Sequence, residues 1–249
     1  MSDGIAIRVV DLEKRFAGAR ELALDRVSFE LGRGKLGAVV GRSGSGKSTL
    51  LRCMAGLEDF DRGAIEIDGV RVESGGAASL LGRVGLVFQA FELFPHLTVL
   101  ENCTLAPRRV RNKPRGEAEA HARELLKLLG LENKVDMHPL RLSGGERQRA
   151  AIARALAMEP RVLCYDEPTS ALDASLRREV SRTFERVRET AVTQVVVTHD
   201  VALARDLADS VFVLDHGRIA ESGAPERVFV SPEHAATRAL LSENEYESV

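Results

Sequence analysis

The sequence predicts an α/β protein with a mainly parallel sheet. Short, uninterrupted apolar runs, such as LGAVV at 36–40 and VVVT at 195–198, are typical of strands buried on both faces of a parallel sheet. Helical segments, including 175–189 and 201–208, separate several of these runs, and such alternation is typical of α/β folds.

The predicted β segments fall into two groups. The β-rich opening contains IAIRVV at 5–10, VSFEL at 27–31 and AIEIDGV at 64–70. The buried runs of the main sheet are LGAVV at 36–40, VGLVFQ at 84–89, RVLCYDE at 161–167, TQVVVTHD at 193–200 and SVFVLD at 210–215. Glycines and the helix-like STLLRCMAG follow the first of these runs directly, so we expect a strand, a loop and a helix there.

The stretch 98–158 differs because it contains no strand candidate. Its apolar residues recur at helical spacing from Ala118 to Leu129, and Gly130 is a typical helix end. We interpret it as a helical insertion rather than a separate domain with a linker. The predicted division is a core with its β subdomain at 1–89 and 160–249, and a helical subdomain at 90–159.

Composition restricts the class of protein. The 249 residues carry a formal net charge of −2, so no global basic field indicates nucleic acid as a partner. No apolar run approaches the roughly 18 residues that a membrane span needs, and the N-terminus lacks a signal-peptide core. Cys53, Cys103 and Cys164 lack metal-ligand spacing and are predicted to be free thiols in the cytoplasm.

The segment GRSGSGKS, from Gly41 to Ser48, matches the phosphate-binding pattern G-x-x-x-x-G-K-[ST]. Glycines let backbone N–H groups surround phosphates, and the following helix adds its positive end. Lys47 is expected to reach the β- and γ-phosphates, and the Ser48 hydroxyl to ligate Mg²⁺. A chance match is disfavoured because the motif stands between a buried strand and a helix, as it requires.

Two carboxylates end the run RVLCYDE. Asp166 and Glu167 lie where ligands of open parallel sheets bind. Asp166 is predicted to hold the metal through water, and Glu167 to act as general base for the attacking water. The alternative is a surface acidic pair, which would be preferred without the phosphate loop.

His199 and Gln89 end two further apolar runs. Either residue alone would be read as an ordinary surface side chain. Both follow strands and so converge with Lys47 on one rim of the sheet, where phosphoryl transfer needs a γ-phosphate sensor and a positioned water. We therefore place both among the catalytic residues, and Gln89 also among the Mg²⁺ ligands.

LSGGE at 142–146 is a second glycine-rich helix start. Ser143 is a suitable N-cap, and Gly144 and Gly145 leave N–H groups exposed. This is a second potential anion site, about a hundred residues from the phosphate loop.

The ordered set GRSGSGKST, VFQAFELFP, LSGGERQR, LCYDEPTSALD and VVVTHD resembles the nucleotide-binding subunit of ATP-binding cassette (ABC) transporters, over about 5–241. The resemblance implies a P-loop NTPase core, an N-terminal antiparallel β subdomain and an inserted helical signature subdomain. It also implies ATP and Mg²⁺ as ligands. The family forms head-to-tail homodimers, in which the signature of one chain meets the γ-phosphate held by the other.

Further site residues follow from the resemblance. Phe16 matches the aromatic that stacks on adenine, and Asp173 matches a loop that communicates across the dimer. The implied nucleotide loop comprises Gly41, Arg42, Ser43, Gly44, Ser45, Gly46, Lys47, Ser48 and Thr49. Three positions carry a residue that is uncommon in the family. Glu146 stands where glutamine is frequent, and Arg42 and Ala174 stand where proline is frequent.

Several segments, including FPHLTVLENCTLAP and VFVLDHGRIAESGAPERVF, are similar to those of ATP-binding subunits in the polar amino-acid uptake branch of bacterial importers. That branch uses transmembrane permease subunits and a periplasmic substrate-binding protein, and implies a peripheral location on the cytoplasmic face of the inner membrane. Phe91, Leu93, Phe94 and Pro95 are either core residues or a docking groove for a membrane subunit.

Other functions stay open at this point. An ABC ATPase can drive a non-uptake membrane complex, for export, lipoprotein handling or signalling. A soluble non-transport ABC ATPase would normally carry coiled-coil, zinc or tandem-domain additions, which are absent from this sequence.

Overall fold

The computed structural model describes residues 4–80, 82–169 and 177–246, which form two sheets and their flanking helices. The strands are β1 (Ile5–Lys14), β2 (Leu24–Gly32), β3 (Leu36–Val40), β4 (Arg62–Ile67), β5 (Val70–Val72), β6 (Val84–Val87), β7 (Val162–Asp166), β8 (Thr193–Thr198), β9 (Ser210–Asp215) and β10 (Arg218–Gly223). The helices are α1 (Lys47–Met54), α2 (Val99–Val110), α3 (Arg115–Leu128), α4 (Gly144–Leu156), α5 (Arg177–Arg188), α6 (Val201–Leu207), α7 (Pro225–Val230) and α8 (Ala235–Tyr246). The predicted fold class is confirmed.

The smaller sheet is antiparallel and has the strand order β2-β1-β4-β5. The run AIEIDGV, predicted to continue the β-rich opening, forms the end of β4, a turn and the start of β5. Asp68 and Gly69 both have positive φ, 50° and 78°. A two-residue hairpin turn of type I′ needs positive φ at both positions, and Asp-Gly is a preferred pair for it. The chain therefore reverses direction at Asp68 and Gly69, and β4 and β5 pair as a hairpin.

The larger sheet has the order β10-β9-β3-β8-β7-β6. All neighbours are parallel except β9 and β10, an antiparallel hairpin whose second strand the sequence analysis did not predict. Val40 pairs with Thr198, and Asp166 pairs with Val197. The carboxyl ends of β3, β7 and β8 are thus level, so the residues that follow these strands share one edge.

The described stretch 90–159 contains α2, α3, α4 and two short 3₁₀ turns, and no strand. Its division from the core as a subdomain stays a prediction. One apolar cluster continues from this stretch into the main sheet, and includes Leu126 and Ile152 with Leu163 and Tyr165. Burial of these side chains from water stabilises the docking of the helices on β7.

The three cysteines are unpaired and buried. Burial raises the pKa of each thiol, Cys53, Cys103 and Cys164, to about 12. The thiols are therefore protonated near neutral pH, and they behave as small apolar core residues.

Among the described residues, no helix is both long enough and apolar enough to span a lipid bilayer.

Candidate active site

A cavity of about 1040 Å³ opens at the carboxyl edge of the main sheet. It is lined by Phe16, Ala23, Arg42, Ser43, Gly44, Gly46, Lys47, Ser48, Thr49, Gln89, Glu167, His199, Leu240 and Glu243. Segments that are far apart in sequence meet here because β3, β6, β7 and β8 all end at this edge. Most of the predicted site residues are thus brought together around one space.

The loop between β3 and α1 requires glycine at specific positions. Gly46 is the N-cap of α1 and has φ 106°, and a Cβ there would lie 2.4 Å from the Ala23 carbonyl oxygen. A Cβ on Gly41 would lie 2.2 Å from the Leu214 carbonyl oxygen. Neither position can hold a larger residue without a backbone shift. The close packing of this loop thus requires glycine at two positions of the phosphate-binding pattern.

Lys47 is buried inside this loop. Its Nζ donates to the carbonyl oxygens of Gly41 at 2.8 Å and Arg42 at 3.1 Å, and it lies 3.6 Å from Glu167 Oε1. A buried ammonium needs anionic or carbonyl partners because water is excluded. The three contacts hold the charge next to the cavity, where an incoming phosphate can share it.

Ser48 and Asp166 are already in contact. The Ser48 hydroxyl donates to Asp166 Oδ1 at 2.9 Å, across the gap between α1 and β7. Hydroxyl and carboxylate oxygens are the protein ligands that Mg²⁺ prefers, and the ion usually completes its shell with phosphate oxygens and water. The donor set therefore fits Mg²⁺.

Glu167 follows β7 in an uncommon backbone conformation, with φ 47°. Its N–H donates to the Val197 carbonyl at 2.9 Å, and its Oε2 lies 2.8 Å from Nδ1 of His199. The His199 backbone N–H also donates to Oε2, at 3.3 Å. Positive φ in a non-glycine residue costs about 1–3 kcal/mol and is concentrated at functional sites. The strain here orients the carboxylate toward His199 and Lys47.

Gln89 and Phe16 reach the same cavity from other elements. Gln89 lies beyond the end of β6 and lines the cavity together with Ser48. Phe16 follows β1, is 42% exposed, and has Lys14 Nζ 5.1 Å from its ring centroid. An exposed aromatic face at the rim of a phosphate site is suited to stacking on a flat ring.

Sequence reasoning missed three cavity residues, namely Ala23, Leu240 and Glu243. Glu243 lies on α8 and accepts a hydrogen bond from Arg42 Nε at 2.9 Å. No sequence signal could have found this pair, because 201 residues separate its partners and α8 was not predicted.

The second glycine-rich segment lies outside this cavity. Ser143 is the N-cap of α4, as the sequence predicted, and it forms a capping box with Glu146. The Glu146 N–H donates to Ser143 Oγ at 3.2 Å, and the Ser143 N–H donates to Glu146 Oε2 at 2.8 Å. Glutamate at 146, one of the unusual residues, thus closes the cap, which stabilises the helix start by about 1 kcal/mol. Gly144 and Gly145 begin the helix beside it.

Within one chain, the structure does not bring Ser143, Gly144 or Gly145 to the phosphate loop, since none of them lines its cavity. A ligand shared between the two places therefore needs a second chain. Asp173 and Ala174 lie outside the described residues.

The apolar cluster after Gln89 divides into two parts. Phe91 is 7% exposed and belongs to the main core, and Leu93 packs against that core. Phe94 is 43% exposed, and the Arg154 guanidinium lies 6.0 Å from its ring centroid. The core interpretation is therefore correct for Phe91, and docking is left to Phe94 and the exposed Pro95.

Known proteins resemble this chain in sequence. A family model described as ABC transporter matches residues 24–170. The L-cystine transport system ATP-binding protein of Escherichia coli (strain K12) is 45% identical over 244 residues, which are 95% of this chain and 97% of that protein. The glutamate transport ATP-binding protein of Corynebacterium glutamicum is 44% identical over 237 residues, or 94% and 97% of the two chains.

Solved structures also resemble this chain in fold. An ATP-binding cassette in a dimeric, post-hydrolysis state bound to ADP and phosphate superposes with a TM-score of 0.76 at 32% identity, covering 88% of this chain and 98% of that one. A component of the cbiONQ transporter complex from Clostridium perfringens superposes with a TM-score of 0.84 at 28% identity, covering 99% and 100%.

Proposed function

Because this chain belongs to the ABC transporter family, we propose that it is the ATP-hydrolysing subunit of a bacterial importer of polar amino acids. The observation that carries the proposal is the meeting of Lys47, the Ser48–Asp166 pair and the Glu167–His199 pair at one cavity. The relatives named for cystine and glutamate transport support amino acids as the cargo. Cargo contacts belong to the membrane and binding-protein subunits, so the class of cargo rests on those relatives.

Each residue at the phosphate end has a definable task. Lys47 donates to the β- and γ-phosphates in place of its present loop carbonyls. Ser48 would ligate Mg²⁺ directly, Asp166 would hold it through water, and Gln89 would add an amide oxygen. The ion, when bound, neutralises charge that develops on the phosphate oxygens. Phe16 stacks on the adenine ring at the other end of the cavity.

The Glu167–His199 pair handles the attacking water. Glu167 accepts a proton from the water as general base. Since Nδ1 of His199 is engaged by Glu167, a contact to the γ-phosphate must come from Nε2. The contact with Glu167 Oε2 fixes the orientation of the imidazole ring. His199 thus senses the γ-phosphate and orients the base at the same time.

His199→Ala is expected to lower turnover by about 100-fold or more while ATP affinity stays within a few-fold of the wild type. The reason is that His199 acts on the γ-phosphate and Glu167, whereas the loop and Lys47 carry binding. Steady-state hydrolysis and equilibrium nucleotide binding measure the two effects separately. His216→Ala is a matched control, because His216 also follows a strand of this sheet but its side chain is 91% exposed. Joint loss of binding and turnover in His199→Ala would make the residue structural.

The working unit we propose is a head-to-tail homodimer. In it, Ser143, Gly144 and Gly145 of a second copy cover the γ-phosphate held by Lys47. The dimeric relative with ADP and phosphate supports this arrangement. It also accounts for a well-capped, glycine-rich helix start that no ligand reaches within one chain.

We further propose that permease subunits bind this chain at the cytoplasmic face of the inner membrane, with a substrate-binding protein delivering the cargo. Phe94 supplies an exposed apolar contact five residues after Gln89 in the chain, and Arg154 holds the segment by donating to the Phe91 carbonyl at 3.1 Å. A membrane subunit that binds Phe94 would therefore contact the segment that directly follows Gln89.

Reconstitution in liposomes with permeases encoded beside this gene tests the function. We expect ATP hydrolysis that rises when the binding protein is loaded with a polar amino acid, together with uptake of that amino acid. ATPase activity without such stimulation, or cargo movement in the opposite direction, would contradict import and favour the export or signalling alternatives.

In the same assay, Phe94→Ala is expected to weaken assembly with the permeases about tenfold or more while basal ATPase is retained, since truncating an interface aromatic commonly costs over 1 kcal/mol. Co-purification with the permeases measures the assembly. Val230→Ala, at a residue 73% exposed on α7, controls for the loss of any exposed apolar side chain. Equal assembly of both variants with the permeases would show that Phe94 is an ordinary surface residue and not a docking contact.

A further inference from the structure

Gln148 lies on α4, five residues after its N-cap Ser143, and only 2% of it is exposed. Its Nε2 donates to the Pro168 carbonyl oxygen at 3.0 Å. A buried amide in a helix is costly unless it is hydrogen-bonded, so this contact is a specific one. It joins the helix that begins with the LSGG segment to the residue that directly follows Glu167.

The peptide around Glu167 is held from two sides. On one side, the Glu167 N–H donates to Val197 on β8 at 2.9 Å. On the other side, Gln148 holds the carbonyl of Pro168, which is itself buried. Glu167 stands between these anchors at φ 47°, a conformation that persists only when its surroundings enforce it.

We infer that Gln148 is a positioning residue for Glu167 and that it links the two ATP sites of the dimer. This inference rests on the proposed head-to-tail arrangement. In each chain, the N-terminus of α4 contacts the ATP of the partner, whereas Glu167 acts on the chain's own ATP. The Gln148–Pro168 hydrogen bond thus connects the start of α4, which contacts the partner's ATP, to Glu167, the general base for the chain's own ATP.

The geometry suits such a link. Five residues of α-helix rise about 7.5 Å, so Gln148 follows any movement of the helix start as one rigid body. An N–H···O bond weakens steeply when its distance or angle departs from the optimum. Closure of the signature onto the partner's γ-phosphate can therefore set how firmly the strained peptide after Glu167 is held.

A separate contact keeps α4 attached when this bond is removed. Arg149, the next residue, forms an ion pair with Glu179 on α5. The helix also contributes Ile152 and Leu156 to the main core. Loss of the Gln148 amide is therefore expected to alter the position of the Glu167 carboxylate without detaching α4 from the core.

The test compares Gln148→Met, which keeps the length and volume but lacks the donor, with wild-type protein. We expect kcat for ATP hydrolysis to fall about ten- to a hundredfold, while KM and ATP affinity change less than about threefold. ATP-dependent dimerisation, measured in the Glu167→Gln background, should be unchanged. Gln148→Asn, which keeps the amide but is one methylene too short to reach Pro168, should show the same kcat loss.

Tyr165→Phe is the matched control. Tyr165 is a fully buried residue of β7 whose hydroxyl donates to Gln194 Oε1 at 2.8 Å, so this variant also loses a buried hydrogen bond. Its bond does not hold the peptide after Glu167, and kcat should stay within about threefold of the wild type.

Three results would overturn the inference: wild-type kcat in both Gln148 variants, a kcat loss in Tyr165→Phe equal to theirs, or a parallel loss of ATP binding. An inactive wild-type protein, or one that does not dimerise with ATP as Glu167→Gln, would instead reject the proposed function on which the inference rests.

Discussion

Glu167→Gln is expected to bind Mg-ATP, to lose hydrolysis by about 100-fold or more, and to accumulate as a dimer. The amide cannot accept the proton of the attacking water, which removes general-base catalysis. It has nearly the same shape as the carboxyl group, so the site around His199 and Lys47 should remain able to close. The trapped nucleotide then bridges two chains, with its γ-phosphate between Lys47 of one and the α4 N-terminus of the other.

Light scattering of Glu167→Gln should show dimers with ATP and monomers with ADP, because ADP lacks the bridging phosphate. Adding Ser143→Arg should abolish the dimer by filling the γ-phosphate seat, yet leave ATP binding by each monomer intact. Glu226→Gln, at an exposed glutamate of α7, removes the same charge and should hydrolyse ATP at the wild-type rate. A dimer that forms with either nucleotide and in the presence of Ser143→Arg would show that the LSGG segment does not bind the partner's γ-phosphate.

Lys47→Ala is expected to lower ATP affinity by about 100-fold or more. Charge-assisted hydrogen bonds contribute roughly 1.5–3 kcal/mol each, and Lys47 is predicted to make at least two to phosphate oxygens. Loss of the ammonium also leaves the Gly41 and Arg42 carbonyls without their donor, so the loop is loosened as well.

Equilibrium titration with a fluorescent ATP analogue measures this loss. Lys35→Ala is a matched control, because Lys35 precedes the same strand, β3, at its opposite end and pairs with Asp209 there. It removes the same charge and should bind ATP normally. Unchanged affinity in Lys47→Ala would reject the assignment of the phosphate loop.

The phosphate loop was readable from sequence because its chemistry is local. Gly41 and Gly46 stand at fixed spacings from Lys47 in the motif, whereas the carbonyl oxygens that require glycine at these positions belong to Leu214 and Ala23. Asp166, Glu167, Gln89 and His199 could be placed for a related reason, since parallel strands end at a common edge and each residue follows a buried run. Periodicity and strand ends thus predicted which groups meet, although not their distances.

Other features were visible in the sequence but only partly interpreted. The Asp68–Gly69 pair is a strong turn signal, and the sequence analysis assigned the run around it to the β-rich opening without dividing it into two strands. Phe91 and Phe94 stand three residues apart in a segment without helical or strand periodicity, so the sequence could not tell which of them is buried. Packing against α4, through Arg154 and the core, decided that.

The sequence by itself determined the α/β class, the alternation of strands and helices, and the polar groups that follow the strand ends, because these depend on short-range patterns of burial and on residues adjacent in the chain. Only the tertiary structure decided the contacts of Arg42 with Glu243 and of Gln148 with Pro168. The partners of the first pair are 201 residues apart in the sequence, and those of the second are 20 residues apart. Both pairs form only after β7, α4 and α8 have packed. No local propensity marks either partner, because the free energy that selects the pair comes from the shared burial of whole elements.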